Sequence, residues 1–199
     1  QRQMCIRDRI KSWDELRSRL EPQDRKCFAY FHPAMEDEPL IFIEVALTED
    51  MPEKINQILN PDRTMINSEE ATTAVFYSIS NCQKGLQGIS FGNFLIKQVA
   101  KDLQNNFENL SKFVTLSPVP GFSKWLKSID TNFFNKMYNK LSTNKIQKSE
   151  AILNENILKY FFISNRIDNL PNDPVARFHI GNGAILERIN FLSDTSKKG

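Results

Sequence analysis

The sequence predicts a single mixed α/β domain, and three observations lead to this fold class. Runs rich in Phe, Ile and Val dominate the first half of the chain. A strand–loop–helix–strand unit occupies its middle, and a helical pattern rich in Lys and Asn fills much of the second half. With 199 residues, of which 40% are hydrophobic and 25% charged, the chain is long enough for one domain with a sizeable core.

The first predicted elements are a helix and a pair of strands. Residues 10–20 have an apolar side chain every three or four positions, which is the helical period, and Pro22 ends the segment. Residues 26–31 and 40–47 are extended apolar runs. Because the acidic segment 36–39 separates them, the pattern predicts two strands joined by a polar loop.

A short helix and the strand–loop–helix–strand unit come next. Residues 51–59 are a helix candidate with Pro52 in its first turn. Residues 72–80 predict a third strand, the loop 81–90 leads into a longer helix, and residues 113–116 predict a fourth strand. The apolar face predicted for the longer helix contains Phe94, Leu95, Val99, Leu103 and Phe107.

The second half of the chain is predicted to be mainly helical. Residues 123–162 have a helical pattern with a polar break at 143–149, and residues 171–174 form a turn rich in proline. Residues 175–180 and 185–192 are predicted as strands on either side of an Asn-Gly pair. The candidate buried positions of the helical part are Trp125, Leu126, Phe133, Phe134, Met137, Leu141, Ile152, Leu153, Ile157, Leu158, Phe161 and Phe162.

Composition limits the function classes. The net charge of +2 argues against a general nucleic-acid binder. Three cysteines without CxxC spacing favour reduced thiols over a disulfide framework or a metal site. No apolar run reaches the roughly 18 to 20 residues of a membrane span, and no signal segment opens the chain, so we expect a cytoplasmic protein. Residues 1–9 are unpatterned and are interpreted as an assembly scar.

A serine and a histidine are the candidate chemical groups. Ser117 ends an apolar segment and is followed by Pro118, Pro120 and Gly121, which restrict the backbone and allow the hydroxyl to face a cleft. Alternatively, the serine caps a helix that begins near residue 122. His179 is one of only two histidines in the chain. Its imidazole titrates near neutral pH and is therefore suited to proton transfer.

The loop between the third strand and the longer helix is a candidate phosphate site. Small residues at 87–93 allow the backbone to approach a pyrophosphate, and the free amides of the first helical turn attract anions. The glycine spacing matches neither the Walker nor the Rossmann pattern, so an ordinary strand-to-helix turn is the alternative. Nearby basic residues, which are given no role because a solvated helix face explains them, are Lys84, Lys97, Lys124 and Lys127.

Several segments resemble the malonyl-CoA decarboxylase family. The run Leu116–Phe122, the upstream stretch Gly85–Gly88 and the downstream stretch Phe178–His179 occur in the family's order and at similar spacing. The segments His32–Met35 and Glu38–Thr48 are also shared. The resemblance implies an acetyltransferase-like (GNAT) fold, in which a central sheet is flanked by helices.

The resemblance also has consequences for domain organisation. It covers residues 10–199, which correspond to the family's catalytic C-terminal domain. Family members have a helical domain before this region and a further segment after it, so we expect a fragment that lacks both the N-terminal domain and the C-terminal end. Family members further suggest a homotetramer for the full-length protein and a role in fatty acid metabolism.

The activity implied by the resemblance is conversion of malonyl-CoA to acetyl-CoA and CO₂. Loss of CO₂ leaves an enolate that must be stabilised and protonated, which needs no metal and no cofactor beyond the coenzyme A of the substrate. The resemblance assigns His179 as the proton donor and Ser117 as its hydrogen-bonding, proton-accepting partner. It places the malonyl-CoA contacts, besides these two, at Gln87, Gly88, Ile89, Ser90, Phe91, Gly92 and Asn93.

Other activities are consistent with the same fold class. An acyl-CoA acyltransferase would transfer the acyl group to an amine, and a nonenzymatic module would only bind coenzyme A. A thioesterase with a nucleophilic serine is less favoured, because no G-x-S-x-G elbow surrounds Ser117.

Three further features have structural interpretations. His32 is expected at a strand end, where a structural role is favoured over catalysis. Glu44 lies in an apolar strand and needs a partner if it is buried, and it is either structural or lines a cleft. The aromatic residues Phe133, Phe134 and Tyr138 have helical spacing and are expected in the core rather than in a base-stacking platform.

Overall fold

The chain divides into two compact units. The computed structural model describes residues 12–86, 91–142, 147–163, 168 and 170–195. The first unit, which we call the sheet unit, contains the residues up to Leu116 and those from Leu192 onward. The second, the helical unit, contains Ser117–Phe191.

A four-stranded open sheet forms the centre of the sheet unit. Its strands are β1 (Arg25–His32), β2 (Met35–Thr48), β3 (Thr73–Asn81) and β4 (Lys112–Thr115), in the order β1-β2-β3-β4. The first three strands are antiparallel, and β4 is parallel to β3. The mixed α/β class and all four predicted strands of this half are confirmed, because each predicted apolar run lies almost entirely within a strand.

The connection between β1 and β2 is shorter than the sequence predicts. The segment 36–39 was expected in a polar loop, but it belongs to β2, and the turn contains only Pro33 and Ala34. His32 pairs with Met35 across this turn. Residues 35–38 are exposed, so their acidic side chains remain in water even though their backbone continues the ladder.

Both faces of the central strands are covered by apolar residues. On one face the core is formed by Ile41, Ile43, Val45, Leu47, Ala74, Phe76, Leu95, Val99 and Leu103. On the other face it is formed by Ala46, Ile55, Ile58, Val75 and Tyr77. Successive residues of a strand point to opposite faces, which explains why neighbours such as Val45 and Ala46 belong to different clusters.

Helix α3 (Phe91–Asn106) connects β3 to β4, as a parallel pair requires. Leu95, Val99 and Leu103 are buried at a spacing of four residues. Phe94, which was predicted on the same apolar face, is instead 61% exposed because it lies about one hundred degrees around the helix from Leu95.

Two further α-helices among the described residues of the sheet unit are short. Helix α1 (Trp13–Leu20) has Ser12 as its N-cap, and the predicted helix is confirmed over these residues. Helix α2 (Asn56–Leu59) is shorter than the predicted 51–59. The Gln57 side chain accepts hydrogen bonds from the amides of Glu53 and Lys54 at 2.8 Å each, so these amides are satisfied without an earlier helical turn.

The helical unit contains α4 (Phe122–Ile129), α5 (Thr131–Ser142), α6 (Gln147–Phe162) and α7 (Pro174–Gly181). The predicted polar break begins outside the described residues, and its last three residues already belong to α6. A small apolar cluster contains the buried residues Leu126 and Leu153 and the partly buried residues Phe122, Trp125, Phe133, Phe134 and Phe191.

Some predicted core positions of the helical unit are wrong. Ile152, Leu158 and Phe162 are exposed by 38%, 43% and 56%. They lie on the opposite side of α6 from Leu153 and Phe161, which are buried. The side chains of the other predicted positions Met137, Tyr138 and Leu141 lie outside the described residues.

The end of the helical unit also differs from the prediction. Residues 175–180 belong to α7 rather than to a strand, and residues 185–192 form no strand. Asp173 is the N-cap, and Pro174 occupies the first helical turn, where its missing amide costs nothing. Gly183, with φ of 90°, ends the helix where a hairpin turn was expected.

Candidate functional site

Ser117 lies before α4 and does not cap it. The N-cap of α4 is Gly121, and its carbonyl accepts a hydrogen bond from the Trp125 amide at 3.0 Å. Two prolines lie between Ser117 and Gly121, so the serine is held in a non-helical segment. The capping alternative for Ser117 is therefore excluded.

His179 occupies the last turn of α7. Its carbonyl accepts hydrogen bonds from the amides of Asn182 and Ala184, and the Gly183 amide donates to the Ile180 carbonyl. This arrangement is the Schellman motif, in which a left-handed glycine closes the helix. The Asn182 side-chain amide also donates to the Phe178 carbonyl at 2.6 Å. The backbone at His179 is therefore fixed from its C-terminal side.

The two predicted catalytic side chains lie next to each other. Ser117 Oγ is 3.2 Å from His179 Nε2, although 62 residues separate them in sequence. Both residues are half-buried. The Phe178 ring is nearly perpendicular to the imidazole, with the ring centres 5.0 Å apart. The distance is that of a hydrogen bond, so a proton can pass between hydroxyl and imidazole.

Burial determines the charge of the imidazole. It lowers the pKa of His179 below its ordinary value of 6.5, because the charged form loses its hydration. The ring is therefore neutral at pH 7 and has one N–H and one acceptor nitrogen.

The partners of the His179 ring can be compared with those in a hydrolytic triad. In a triad, a carboxylate orients the base from the ring nitrogen that does not face the serine. No carboxylate bonds to the His179 ring in the part of the chain that the structure describes. Nor do the described residues include a group of three His, Cys, Asp or Glu side chains arranged to hold a metal ion.

Comparison with known proteins identifies the family. The family described as the malonyl-CoA decarboxylase C-terminal domain matches residues 6–199. The chain belongs to the malonyl-CoA decarboxylase family. Two curated relatives are the mitochondrial malonyl-CoA decarboxylases of Anser anser anser and Rattus norvegicus, at 33% and 32% identity over 96% of this chain. The chain spans 44% and 45% of these relatives, which is about half of their length.

Solved malonyl-CoA decarboxylases have the same fold. The protein from Agrobacterium vitis is 49% identical, with a TM-score of 0.84 over 98% of this chain and 51% of that one. The protein from Rhodopseudomonas palustris is 48% identical, with a TM-score of 0.79 over 94% of this chain and 46% of that one.

The loop assigned by family resemblance to malonyl-CoA is only partly described. Gln87, Gly88, Ile89 and Ser90 lie outside the described residues. Residues 91–93 form the first turn of α3, whose amides have no partners within the helix. Three of the four lysines that the sequence analysis gave no role have described side chains, all of them exposed: Lys97, Lys124 and Lys127.

Two other polar residues considered in the sequence analysis, His32 and Glu44, have hydrogen-bond or ion-pair partners. His32 ends β1, is exposed, and accepts a hydrogen bond at Nδ1 from the Ala34 amide at 3.0 Å. Glu44 is 2% exposed, and its carboxylate pairs with Arg19 at 3.3 Å. Of the two alternatives for Glu44, these contacts favour the structural role.

Sequence reasoning missed two buried polar residues of the helical unit. Asp173 is fully buried, and Tyr160 is 6% exposed. The signal for Asp173 was present, since Asp before Pro is a common start of a helix, but the segment was interpreted as a turn. Tyr160 lies within an apolar helical pattern, where no local signal indicates a partner for its hydroxyl.

Proposed function

We propose that the protein converts malonyl-CoA to acetyl-CoA and CO₂. The observation that supports this most strongly is the 3.2 Å contact between Ser117 Oγ and His179 Nε2 in a member of this family. The relatives named malonyl-CoA decarboxylase supply the substrate and the reaction.

The reaction requires one carbanionic intermediate and one proton. When the carboxylate leaves as CO₂, its bonding electrons enter the thioester as an enolate. We propose that the N–H of His179 protonates the enolate carbon, which is basic enough to take a proton from a neutral imidazole. The Ser117 hydroxyl holds the ring in place, exchanges a proton with Nε2 and orients the malonyl group.

The nucleotide part of the substrate is proposed to lie against the start of α3. Anions are favoured at a helix N-terminus, because the first amides point outward and the helix dipole is positive there. Gly88→Val adds bulk to this small-residue segment and is expected to raise the dissociation constant for coenzyme A at least about tenfold, or about 1.4 kcal/mol. An unchanged constant in a folded variant excludes this loop from the site.

The proposal also includes an oligomeric state, a metabolic role and a cellular location. We propose a homotetramer for the full-length protein and a role in fatty acid metabolism, both from the family resemblance. The cytoplasm is proposed as the location from the sequence analysis above, whereas the animal relatives are named mitochondrial. Among the described residues, no helix has the length and apolar character needed to cross a bilayer.

The test of this function is a product analysis. The full-length protein is incubated with malonyl-CoA, and acetyl-CoA and CO₂ are both measured. We expect equal amounts of the two, with turnover about a hundredfold lower in Ser117→Ala. Free malonate and coenzyme A would indicate a hydrolase, and an acylated amine would indicate a transferase. Binding of coenzyme A without any product would indicate a binding module.

A further inference from the structure

The start of α7 is fixed by a buried carboxylate. Asp173 is 0% exposed, and its Oδ1 accepts hydrogen bonds from the amides of Val175 and Ala176 at 2.9 and 3.0 Å. An isolated helix of eight residues is unstable in water, so its direction depends on such end contacts. His179 is six residues from Asp173, about 9 Å along the axis, and a tilt of about 6° at the cap displaces it by about 1 Å.

The second oxygen of this carboxylate contacts another helix. The Tyr160 hydroxyl, on α6, donates a hydrogen bond to Asp173 Oδ2 at 3.3 Å. Burial and the neighbouring carboxylate raise the pKa of Tyr160 to about 12, so the hydroxyl remains protonated and continues to donate at neutral pH.

The same hydroxyl lies directly against the segment that contains Ser117. A Cβ atom at Gly121 would overlap the Tyr160 hydroxyl and would lie 3.1 Å from its Cζ atom. Gly121 has φ of −88°, which any residue adopts, so the close approach and not the backbone conformation requires glycine here. Only three residues, two of them prolines, lie between Ser117 and this glycine.

We propose that Asp173, Tyr160 and Gly121 are positioning residues that set the Ser117 hydroxyl against the His179 imidazole. The buried Tyr160 hydroxyl contacts the segments of both Ser117 and His179. It donates a hydrogen bond to Asp173, which caps the helix of His179, and it lies against Gly121, which follows Ser117 by four positions. None of the three forms a hydrogen bond with the Ser117 or His179 side chain among the described residues, so we infer that they act through the backbone of these two segments. The kinetic part of this inference rests on the proposed function.

The kinetic test compares two single variants with a double variant. Gly121→Ala adds a methyl group at the contact, and Tyr160→Phe removes the hydroxyl. Each is expected to lower kcat about tenfold or more with little change in KM, because misplacement of about 1 Å impairs chemistry more than binding. In the double variant the methyl group replaces the missing hydroxyl, so we expect kcat no lower than in the worse single variant.

Two control variants separate positioning from a general loss of structure. Gly181→Ala adds a methyl group on α7 that would lie 3.4 Å from a Leu170 methyl carbon, an ordinary contact, and should keep wild-type kcat. Asp173→Asn keeps the cap and still bonds to Tyr160, and should keep most of the activity. Asp173→Ser keeps the cap but cannot reach Tyr160, and should behave like Tyr160→Phe.

A second readout does not need activity. The chain has two histidines, so selective ¹⁵N-histidine NMR gives separate ring signals for His179 and for the reference His32, which belongs to the sheet unit. In Gly121→Ala and Tyr160→Phe we expect the His179 ring signals to move and its pKa to rise toward 6.5. In Gly181→Ala they should stay in place.

The two readouts distinguish failure of the inference from failure of the function. If folded Gly121→Ala and Tyr160→Phe keep both wild-type kcat and wild-type His179 signals, the positioning role is wrong. Strictly additive losses in the double variant would also contradict it. If the wild type does not decarboxylate malonyl-CoA but the His179 signals still respond as expected, the proposed function fails and the positioning of the pair stands.

Discussion

The sheet unit and the helical unit are stabilised by different interactions: apolar packing in the first, and hydrogen bonds at the ends of a helix in the second. In the sheet unit, apolar side chains cover both faces of the central strands, and Val45 and Val75 are completely buried. In the described part of the helical unit, the buried members of the apolar cluster are Leu126 and Leu153. The helix of His179 is instead fixed by hydrogen bonds at both ends. We conclude that stability depends mainly on the sheet unit, whereas the geometry of the site depends on a few polar contacts.

Two buried acids illustrate this difference. Glu44 in the sheet unit forms an ion pair with Arg19, so its charge is balanced by a charge. Asp173 in the helical unit accepts two backbone hydrogen bonds and one from Tyr160. The ion pair of Glu44 joins α1 to the sheet, whereas the hydrogen bonds of Asp173 set the direction of α7. Substitutions at the two places should therefore affect different measurements.

The largest expected effect on stability is at the buried ion pair. Arg19→Met leaves the Glu44 carboxylate buried without that cation and should lower the free energy of unfolding by about 4 kcal/mol. The matched control is Arg17→Met, which removes an exposed pair with Glu21 and should change it by less than about 1 kcal/mol. Urea denaturation measures both. Equal effects would show that the buried pair does not stabilise the sheet unit.

A somewhat smaller loss is expected from a cavity beside the sheet. Leu103 is 1% exposed in the core, and Leu103→Ala should lower the free energy of unfolding by about 3 kcal/mol. Leu158 on α6 is 43% exposed, and Leu158→Ala should change it by less than about 0.5 kcal/mol. If the two variants have the same urea midpoint, stability does not concentrate in the sheet unit.

The smallest expected effect is a dependence of stability on pH. The pKa of His179 is lowered in the folded protein, so the unfolded chain binds its proton first as the pH falls. The contribution of the neutral His179 ring to stability is complete above pH 6.5. It is lost as the pH falls from 6.5 through the lower pKa that His179 has in the folded protein. His179→Gln should therefore lose less stability than the wild type between pH 7 and pH 5, as measured by melting temperature. A larger loss in the variant would reverse the sign of this effect.

Much of the sheet unit could be predicted from the sequence. Its strands are apolar runs bounded by turns, and α3 repeats apolar residues every four positions, so local patterns are sufficient. The extent of β2 was missed because exposed residues 35–38 continue the ladder without an apolar signal. The exposure of Phe94 was missed because the buried face of α3 is narrower than its set of apolar residues. Leu95, Val99 and Leu103 fill that face, and Phe94 lies outside it.

Less of the helical unit and of the site could be predicted. Residues 175–180 are too short a run to separate a strand from a helix by the period of their apolar residues. The flanking Asp173 and Gly183 decide in favour of the helix. The approach of Ser117 to His179 spans 62 residues, and the family resemblance, not a local pattern, indicated it. The contact between Tyr160 and Asp173 is tertiary and has no local signal.

The central claim is that the imidazole beside Ser117, and not the other imidazole of the chain, supplies the proton. The most direct measurement is the steady-state decarboxylation of malonyl-CoA by His179→Asn and His32→Asn, each checked for folding by circular dichroism. We predict that His179→Asn lowers kcat about a hundredfold or more with a modest change in KM, and that His32→Asn keeps its turnover. Near-normal decarboxylation by His179→Asn together with loss of activity in folded His32→Asn would contradict the account.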